Sequence, residues 1–352
     1  MPLWVPRRVL MTPSARLWAH GNAIAERAAA LGSDIVEMRN DRLTGLSDSD
    51  PRKQYVAAKT SLAVVVASPS KRRLQPIPPS ADWQFHLAEG CPAHCQYCYL
   101  AGSLAGPPVT RVYANLPQIL EALPAYEGKG AITSKSKARA TEGTTFECSC
   151  YTDPLGIEHL TGSLARTIEF FGAWRAPVQL RWTTKFDGVD ALLPIAHAGR
   201  TRARFSVNAA SVVRNTEGGT ANTASRLGAM AKMARAGYPV GLTIAPIMRV
   251  DHWREEYEEL LRCAALALTG ILHLDLTAEL ITHRFTPGSK LVLLEWYPKT
   301  KLDLDEAKRK EKRTKFGSLK YVYPADQMKE LRTWFETKLA EYLPAAKILY
   351  WT

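Results

Sequence analysis

Long apolar runs are missing from this 352-residue chain. No segment approaches the roughly 18 apolar residues of a membrane span, and residues 1–30 carry no apolar stretch flanked as a signal peptide would be. Cysteine is scarce, six in all, which excludes a disulfide scaffold. Internal repeats and low-complexity tracts are absent, which excludes solenoids and a mainly disordered state. Acidic residues are in deficit: 34 Asp and Glu face 46 Lys and Arg, a net charge of +12. A field of that sign attracts polyanions, although a basic enzyme without such a partner has the same composition. The absences together predict a cytoplasmic protein with reduced thiols. The apolar share of 46% is ordinary for a chain that buries a core.

Periodicity predicts a helix over 14–31 ending at Gly32, a strand in SDIVEM, and a buried strand over 61–67 (SLAVVVA). The segment KRRLQPIPPS interrupts the pattern and reads as a boundary. Beyond it, strand-like segments (WQFHLA, TTFECSC, VQLRWTT, ARFSVN, VGLTIA, HLDLTAEL) alternate with helix-like ones near 158–172, 222–236, 252–268 and 327–342. That alternation argues an α/β fold with a parallel sheet, barrel-type or doubly wound. Reactive residues follow the predicted strands. Three cysteines follow the first, Cys150 to Asp153 the second, and Lys185 the third. Ser206 and Asn208 end the fourth, Ala245 and Pro246 the fifth, Glu279 and His283 the sixth. Parallel barrels gather their active sites at these C-terminal strand ends.

In EGCPAHCQYCYLAGS the cysteines Cys91, Cys95 and Cys98 have C-x3-C-x2-C spacing. Thiolates are the usual ligands of iron–sulfur clusters, and three of them leave one iron of a [4Fe–4S] cube open. An open iron suits chelation by the amino and carboxylate groups of S-adenosylmethionine (SAM). A structural zinc site would need a fourth ligand, with His94 the nearest choice and no second knuckle in the chain. Residues 297–323 mix nine basic residues with Tyr297, Phe316, Tyr321 and Tyr323, a pattern suited to phosphate contact beside an unstacked base. Interspersed Asp303, Asp305, Glu306 and Glu311 also fit a solvated charged helix.

The three-cysteine loop, PPVTRVYANLPQIL, ECSCYTDPLGIEHLT, TTKFDGVDALL, RFSVN, GYPVGLTIAPI, ELITHRF and YPKTKLDLDEAKRK resemble, in order, the spore photoproduct lyase family of radical SAM enzymes. The similarity is collinear from about residue 83 to the C-terminus. It implies a partial (β/α)6 TIM-type barrel over 81–285 and a C-terminal DNA-contacting hairpin and helix over 286–352, while the proline-rich boundary sets off an N-terminal α/β extension over 1–80. It implies one [4Fe–4S] cluster on Cys91, Cys95 and Cys98, with SAM as cofactor. The implied reaction is radical repair: a 5′-deoxyadenosyl radical takes a hydrogen from C6 of 5-thyminyl-5,6-dihydrothymine, the methylene bridge breaks, and two thymines result.

The same resemblance makes Cys150 the hydrogen-atom donor that quenches the thymine radical, with Cys148 a neighbouring rival. Tyr97 and Tyr99 become relays back to SAM. Thr152, Lys185, Ser206, Asn208 and Ala245 become SAM contacts. Thr152 departs from the family's usual Ser and keeps the hydroxyl. The implied partners are UV-damaged DNA, its lesion extruded from the duplex, and an electron donor such as a ferredoxin or flavodoxin. A monomer with no membrane association is expected. The competing readings are a radical SAM enzyme acting on another lesion or an RNA base, and a non-enzymatic iron–sulfur DNA-binding protein.

Overall fold

The computed structural model describes residues 3–103, 106–130, 139, 141–148, 150–313, 317 and 319–352. Their strands, in chain order, are β1 (Arg8–Met11), β2 (Asp34–Glu37), β3 (Ser61–Val65), β4 (Gln75–Ile77), β5 (Ala81–Gln84), β6 (Ala88–Glu89), β7 (His94–Cys95), β8 (Thr110–Tyr113), β9 (Thr144–Glu147), β10 (Val178–Thr184), β11 (Thr201–Val207), β12 (Glu217–Gly218), β13 (Val240–Ile247), β14 (Leu276–Thr282), β15 (Lys310–Arg313), β16 (Leu319–Val322) and β17 (Lys347–Trp351). They form a five-stranded sheet, β2-β1-β3-β8-β6, an eight-stranded sheet, β17-β14-β13-β11-β10-β9-β5-β4, and two small pairs, β7 with β12 and β15 with β16. The chain divides into two compact units: Met1–Pro92, Ala105–Thr184 and Gly188–Ala203 in the first, Ala93–Leu104, Lys185–Asp187 and Arg204–Thr352 in the second.

In the first unit, β1 pairs in parallel with β2 and β3, and β3 with β8. Consecutive residues of β1 enter different cores. Val9 and Met11 pack with Ile24, Leu62, Val64 and Leu160, whereas Leu10 packs with Leu46, Ala58 and Ala63. A period-2 chain that is apolar at every position makes a sheet covered on both faces, as parallel sheets require. The same unit holds parallel β5, β9 and β10, with β4 antiparallel to β5.

In the second unit, β13, β14 and β17 are parallel. Here alternation returns. In the β11 residues of this unit, Phe205 and Val207 are apolar and Arg204 and Ser206 are polar, all four being buried. Thr243 on β13 stands in register with Glu279 on β14. Arg204 Nη1 and Thr243 Oγ1 both donate to Glu279 Oε2, at 3.1 and 2.8 Å. A Cβ on Gly241 would meet Arg204 Cγ at 2.7 Å, so glycine gives this buried guanidinium its path.

Some boundaries differ from expectation. The helix over 14–31 is two, Pro13–Arg16 and Ala19–Ala30. WQFHLA splits between β5 and β6, which join different sheets. The proline-rich segment is not bare linker, since it contains β4, an edge strand that tolerates Pro76. The strand in TTFECSC stops at Glu147, so Cys148 and Cys150 lie beyond it and strand alternation does not relate them. Among the described residues, no helix is long and apolar enough to cross a membrane.

Candidate active site

All six cysteines are thiols rather than disulfides. Cys91 belongs to the first unit and Cys95 and Cys98 to the second. Gly90, at φ +81°, turns the chain into Cys91, and a Cβ there would collide with Val109 O at 2.4 Å. The Cys91 carbonyl accepts a hydrogen bond from Lys59 Nζ. Cys148 is fully buried, its N–H donating to Arg181 O at 3.0 Å, and Cys150 is 8% exposed. Tyr151 meets His86 edge to face at 4.8 Å. Burial pushes the His86 imidazole down to about 4, so it is neutral at physiological pH. Thr152 is buried and its Oγ1 makes no hydrogen bond to any described residue. An orphaned buried hydroxyl of this kind calls for a polar ligand. Asp153 Oδ1 accepts from Thr184 Oγ1 at 2.8 Å, which holds the turn after β9 to the end of β10.

In the second unit the cysteine loop is clamped to residues 215–218. Cys95 pairs with Glu217 across the β7–β12 bridge. Gln96 N donates to Thr216 O at 2.8 Å, and Gln96 Nε2 to Asn215 O at 3.2 Å. The Cys98 N–H donates back to Cys95 O at 3.2 Å, so these two cysteines share one turn. The Tyr97 hydroxyl donates to Glu217 Oε1. Arg226 donates to Glu217 Oε2, to Ser206 O and Ala221 O, both at 2.8 Å, and to Thr220 Oγ1 at 2.8 Å. Burial opposes the Glu217 carboxylate, yet Lys185 and Arg226, with the hydrogen bond from Tyr97, hold it below its ordinary value. Burial, reinforced by Glu217, pushes the Tyr97 phenol well above its ordinary range, so it keeps its hydrogen.

Lys185 Nζ donates to Ser206 Oγ at 2.6 Å and to Ala245 O at 3.4 Å, lies 3.4 Å from Glu217 Oε1, and stands 5.5 Å from the Tyr97 ring centre. Five expected or newly found site residues, Tyr97, Lys185, Ser206, Ala245 and Glu217, thus form one connected group. An ammonium presented beside a hydroxyl is a ready partner for a carboxylate. Asn208 differs. It is fully buried, its Nδ2 donates to Pro246 O at 2.7 Å, and its Oδ1 accepts from Tyr257 and Ala209. Tyr99 is 59% exposed, unlike Tyr97. Sequence reasoning missed Glu217 and Arg226, because a buried ion pair has no local spacing pattern.

The basic segment forms an antiparallel hairpin rather than a solvated helix, with Lys310 opposite Val322 and Lys312 opposite Lys320. Every residue of β15 is exposed. Lys312 and Lys320 are thus like charges directly opposite one another, an unfavourable pairing. Burial, Arg284 and Lys312 lower the Lys320 ammonium. Tyr321 and Tyr323 do not offer open stacking faces. Tyr321 is buried against Phe285 with ring centres 5.3 Å apart, and Tyr323 is buried under Arg309, 3.9 Å from its ring centre. They build the hairpin's root, and Phe316 lies outside the described residues.

The comparisons with known proteins agree with this fold. The spore photoproduct lyase family profile matches residues 4–352. The spore photoproduct lyase of Geobacillus sp. (strain Y412MC61) is 40% identical over 353 residues, covering 100% of both chains. That of Bacillus subtilis (strain 168) is 38% identical over 350 residues, covering 99% of each. A solved spore photoproduct lyase complexed with dinucleoside spore photoproduct superposes with a TM-score of 0.92 at 39% identity, and a mutant with bound AdoMet and the same dinucleoside with 0.91 at 38%, each covering 100% of both chains. The fold is therefore the mixed α/β fold of these structures, and its eight-stranded sheet agrees with a partial TIM-type barrel. The chain belongs to the spore photoproduct lyase family.

Proposed function

We propose that this protein is a radical SAM DNA-repair lyase that splits spore photoproduct into two thymines. The observation that carries this reading is the end-to-end family match, with the three-cysteine loop and Cys150 intact within it. Residues 1–80 serve as an α/β extension, 81–285 as the catalytic core and 286–352 as the DNA-contacting region. The residues fit the absent groups: three thiolates suit an iron–sulfur cluster with one open iron, and the orphaned Thr152 Oγ1 and the Lys185 ammonium suit the polar end of SAM. Cys91, Cys95 and Cys98 would hold the [4Fe–4S] cluster, and Lys185, Thr152 and Ser206 the methionine portion of SAM, with Asn208 and Ala245 beside them. When bound, with the cluster reduced by a ferredoxin or flavodoxin, these groups would supply 5′-deoxyadenosyl radical chemistry toward the lesion.

The chain's own residues then finish the reaction. Cys150 gives the hydrogen atom of its neutral S–H to the thymine methylene radical, leaving a sulfur radical. Tyr97 and Tyr99 would relay a hydrogen atom to that sulfur from the methyl group of 5′-deoxyadenosine, so that thiol and phenols are restored and the radical returns to the cofactor. Glu217 holds the Tyr97 hydroxyl in one orientation during this relay. The basic hairpin binds phosphates without sequence choice, so the lesion is chosen by its shape. The test is anaerobic turnover. Reconstituted, reduced protein fed spore photoproduct dinucleotide with SAM should release thymine and leave a cyclobutane dimer control intact. Formation of 5′-deoxyadenosine without thymine would replace the proposed substrate, and absence of both would remove the radical SAM reading.

A further inference from the structure

Lys59 closes the helix Pro51–Lys59 in the N-terminal region and is only 8% exposed. Lysine is almost never buried without a purpose, because its ammonium is costly to desolvate. Capping the helix does not explain the placement. Thr60 N and Oγ1 already donate to Val56 O, and Ser61 Oγ donates to Ala57 O at 2.6 Å. The ammonium instead donates to the backbone carbonyl of Cys91, with the Tyr55 ring centre 6.0 Å away. That carbonyl lies a few covalent bonds from the Cys91 sulfur, so the contact brings a buried positive charge beside this thiol.

We propose that Lys59 is a positioning and charge-balancing residue for the iron–sulfur cluster, fixing the backbone of its ligand Cys91 and favouring the reduced cluster. The proposal rests on the reading of Cys91, Cys95 and Cys98 as cluster ligands. A cluster on thiolates gains one further negative charge when it accepts an electron from a low-potential one-electron donor. A nearby cation poorly screened by solvent stabilises that added charge. The hydrogen bond also restrains Cys91 where the chain leaves β6 through Gly90. The N-terminal extension thereby acquires a role in the redox chemistry in addition to its own core.

The test uses the full chain, loaded anaerobically with iron and sulfide, in wild-type form and as Lys59→Gln, Lys59→Met and Lys59→Arg. Iron and sulfide content and the EPR signal of the reduced cluster report loading, and a redox titration followed by EPR reports the midpoint. At the wild-type midpoint, Lys59→Gln and Lys59→Met should show about a tenfold lower ratio of reduced to oxidised cluster, a shift of about 59 mV to more negative potential. Lys59→Arg, which keeps the charge, should stay near wild type. A wild-type midpoint in Lys59→Gln overturns the proposal. If Lys59→Gln does not fold, Lys59→Met against Lys59→Arg makes the same comparison, and loss of the cluster in every variant, Arg included, overturns it in favour of packing alone. A wild-type chain that loads no [4Fe–4S] cluster sinks the ligand reading, and this proposal with it.

Discussion

Strands β1 and β3 of the N-terminal sheet and strands β11, β13 and β14 are buried to similar degrees but made of different residues. In the first, Val9, Leu10, Met11, Leu62, Ala63 and Val64 make an apolar stretch along two strands, with polar Arg8 and Ser61 only at the strand starts. In the second, Arg204, Ser206, Thr243 and Glu279 occupy the alternate positions and are just as hidden. An apolar sheet covered on both faces gains stability from every residue. A buried polar face costs desolvation and persists only when each group is satisfied. The contrast separates a region whose residues mainly pack from one whose residues hold buried charges in place.

Substitutions in the two regions test that contrast. The largest effect belongs to Cys95→Ala, which should abolish cluster loading and all SAM cleavage while far-UV circular dichroism stays native. A retained [4Fe–4S] EPR signal would contradict its role as a ligand. Next comes Glu279→Ala, which strands Arg204 in the interior and should cost about 3–5 kcal/mol in denaturant unfolding. Its apolar counterpart Leu62→Ala should cost about 2–5 kcal/mol through transfer and cavity terms. Activity per folded molecule separates the two: Leu62→Ala should retain it and Glu279→Ala should lose it, and equal retention would erase the distinction drawn here.

The pH response gives a smaller effect with a definite sign. Burial, with Arg309 adding to it, pushes His283 down to about 3, and burial with Arg166 and Arg27 pushes His20 down to about 4. Each stays neutral in the folded chain while its unfolded counterpart takes up a proton near 6.5. Their stabilisation is therefore complete above about pH 6.5 and is lost as pH falls toward the folded values. For the fully buried His283 the slope approaches about 1.4 kcal/mol per pH unit within that window. Urea midpoints measured from pH 7 to 5 should fall, and His20→Gln should flatten the curve; a curve that stays level in the wild type would refute the account. The smallest effect is on DNA. Replacing Lys312 and Lys320 with Ala should reduce the slope of log affinity against log salt by about 1.8 and leave dinucleotide turnover unchanged. An unaltered slope would detach the hairpin from DNA binding.

How much was legible beforehand varies with how local the signal is. VQLRWTT became β10 over its full length, and the helices near 222–236 and 252–268 appeared as Thr223–Arg235 and Trp253–Leu268. Their periodicity lies within one element. WQFHLA defeated the same reasoning, because its first two residues end β5 and its last begins β6, strands of two different sheets. At the site, the C-x3-C-x2-C spacing could be read from the chain, and the family resemblance marked Lys185, just after β10, and Ser206 and Ala245, near the ends of β11 and β13. Glu217, 120 residues from the Tyr97 hydroxyl it binds, could not. Tyr321 and Tyr323 looked like stacking platforms in a basic run, and only burial against Phe285 and Arg309 showed them to be the hairpin's foundation.

The amino-acid order by itself determined the alternation of strands and helices, the three-thiol loop and the positive charge, because each depends on neighbours within a few residues. The folded chain alone decided which carboxylate meets Tyr97, which cation reaches Cys91 and which arginine crosses above Gly241. Those choices arise where distant segments must satisfy one another's buried charges and hydrogen bonds, and no local pattern encodes that requirement.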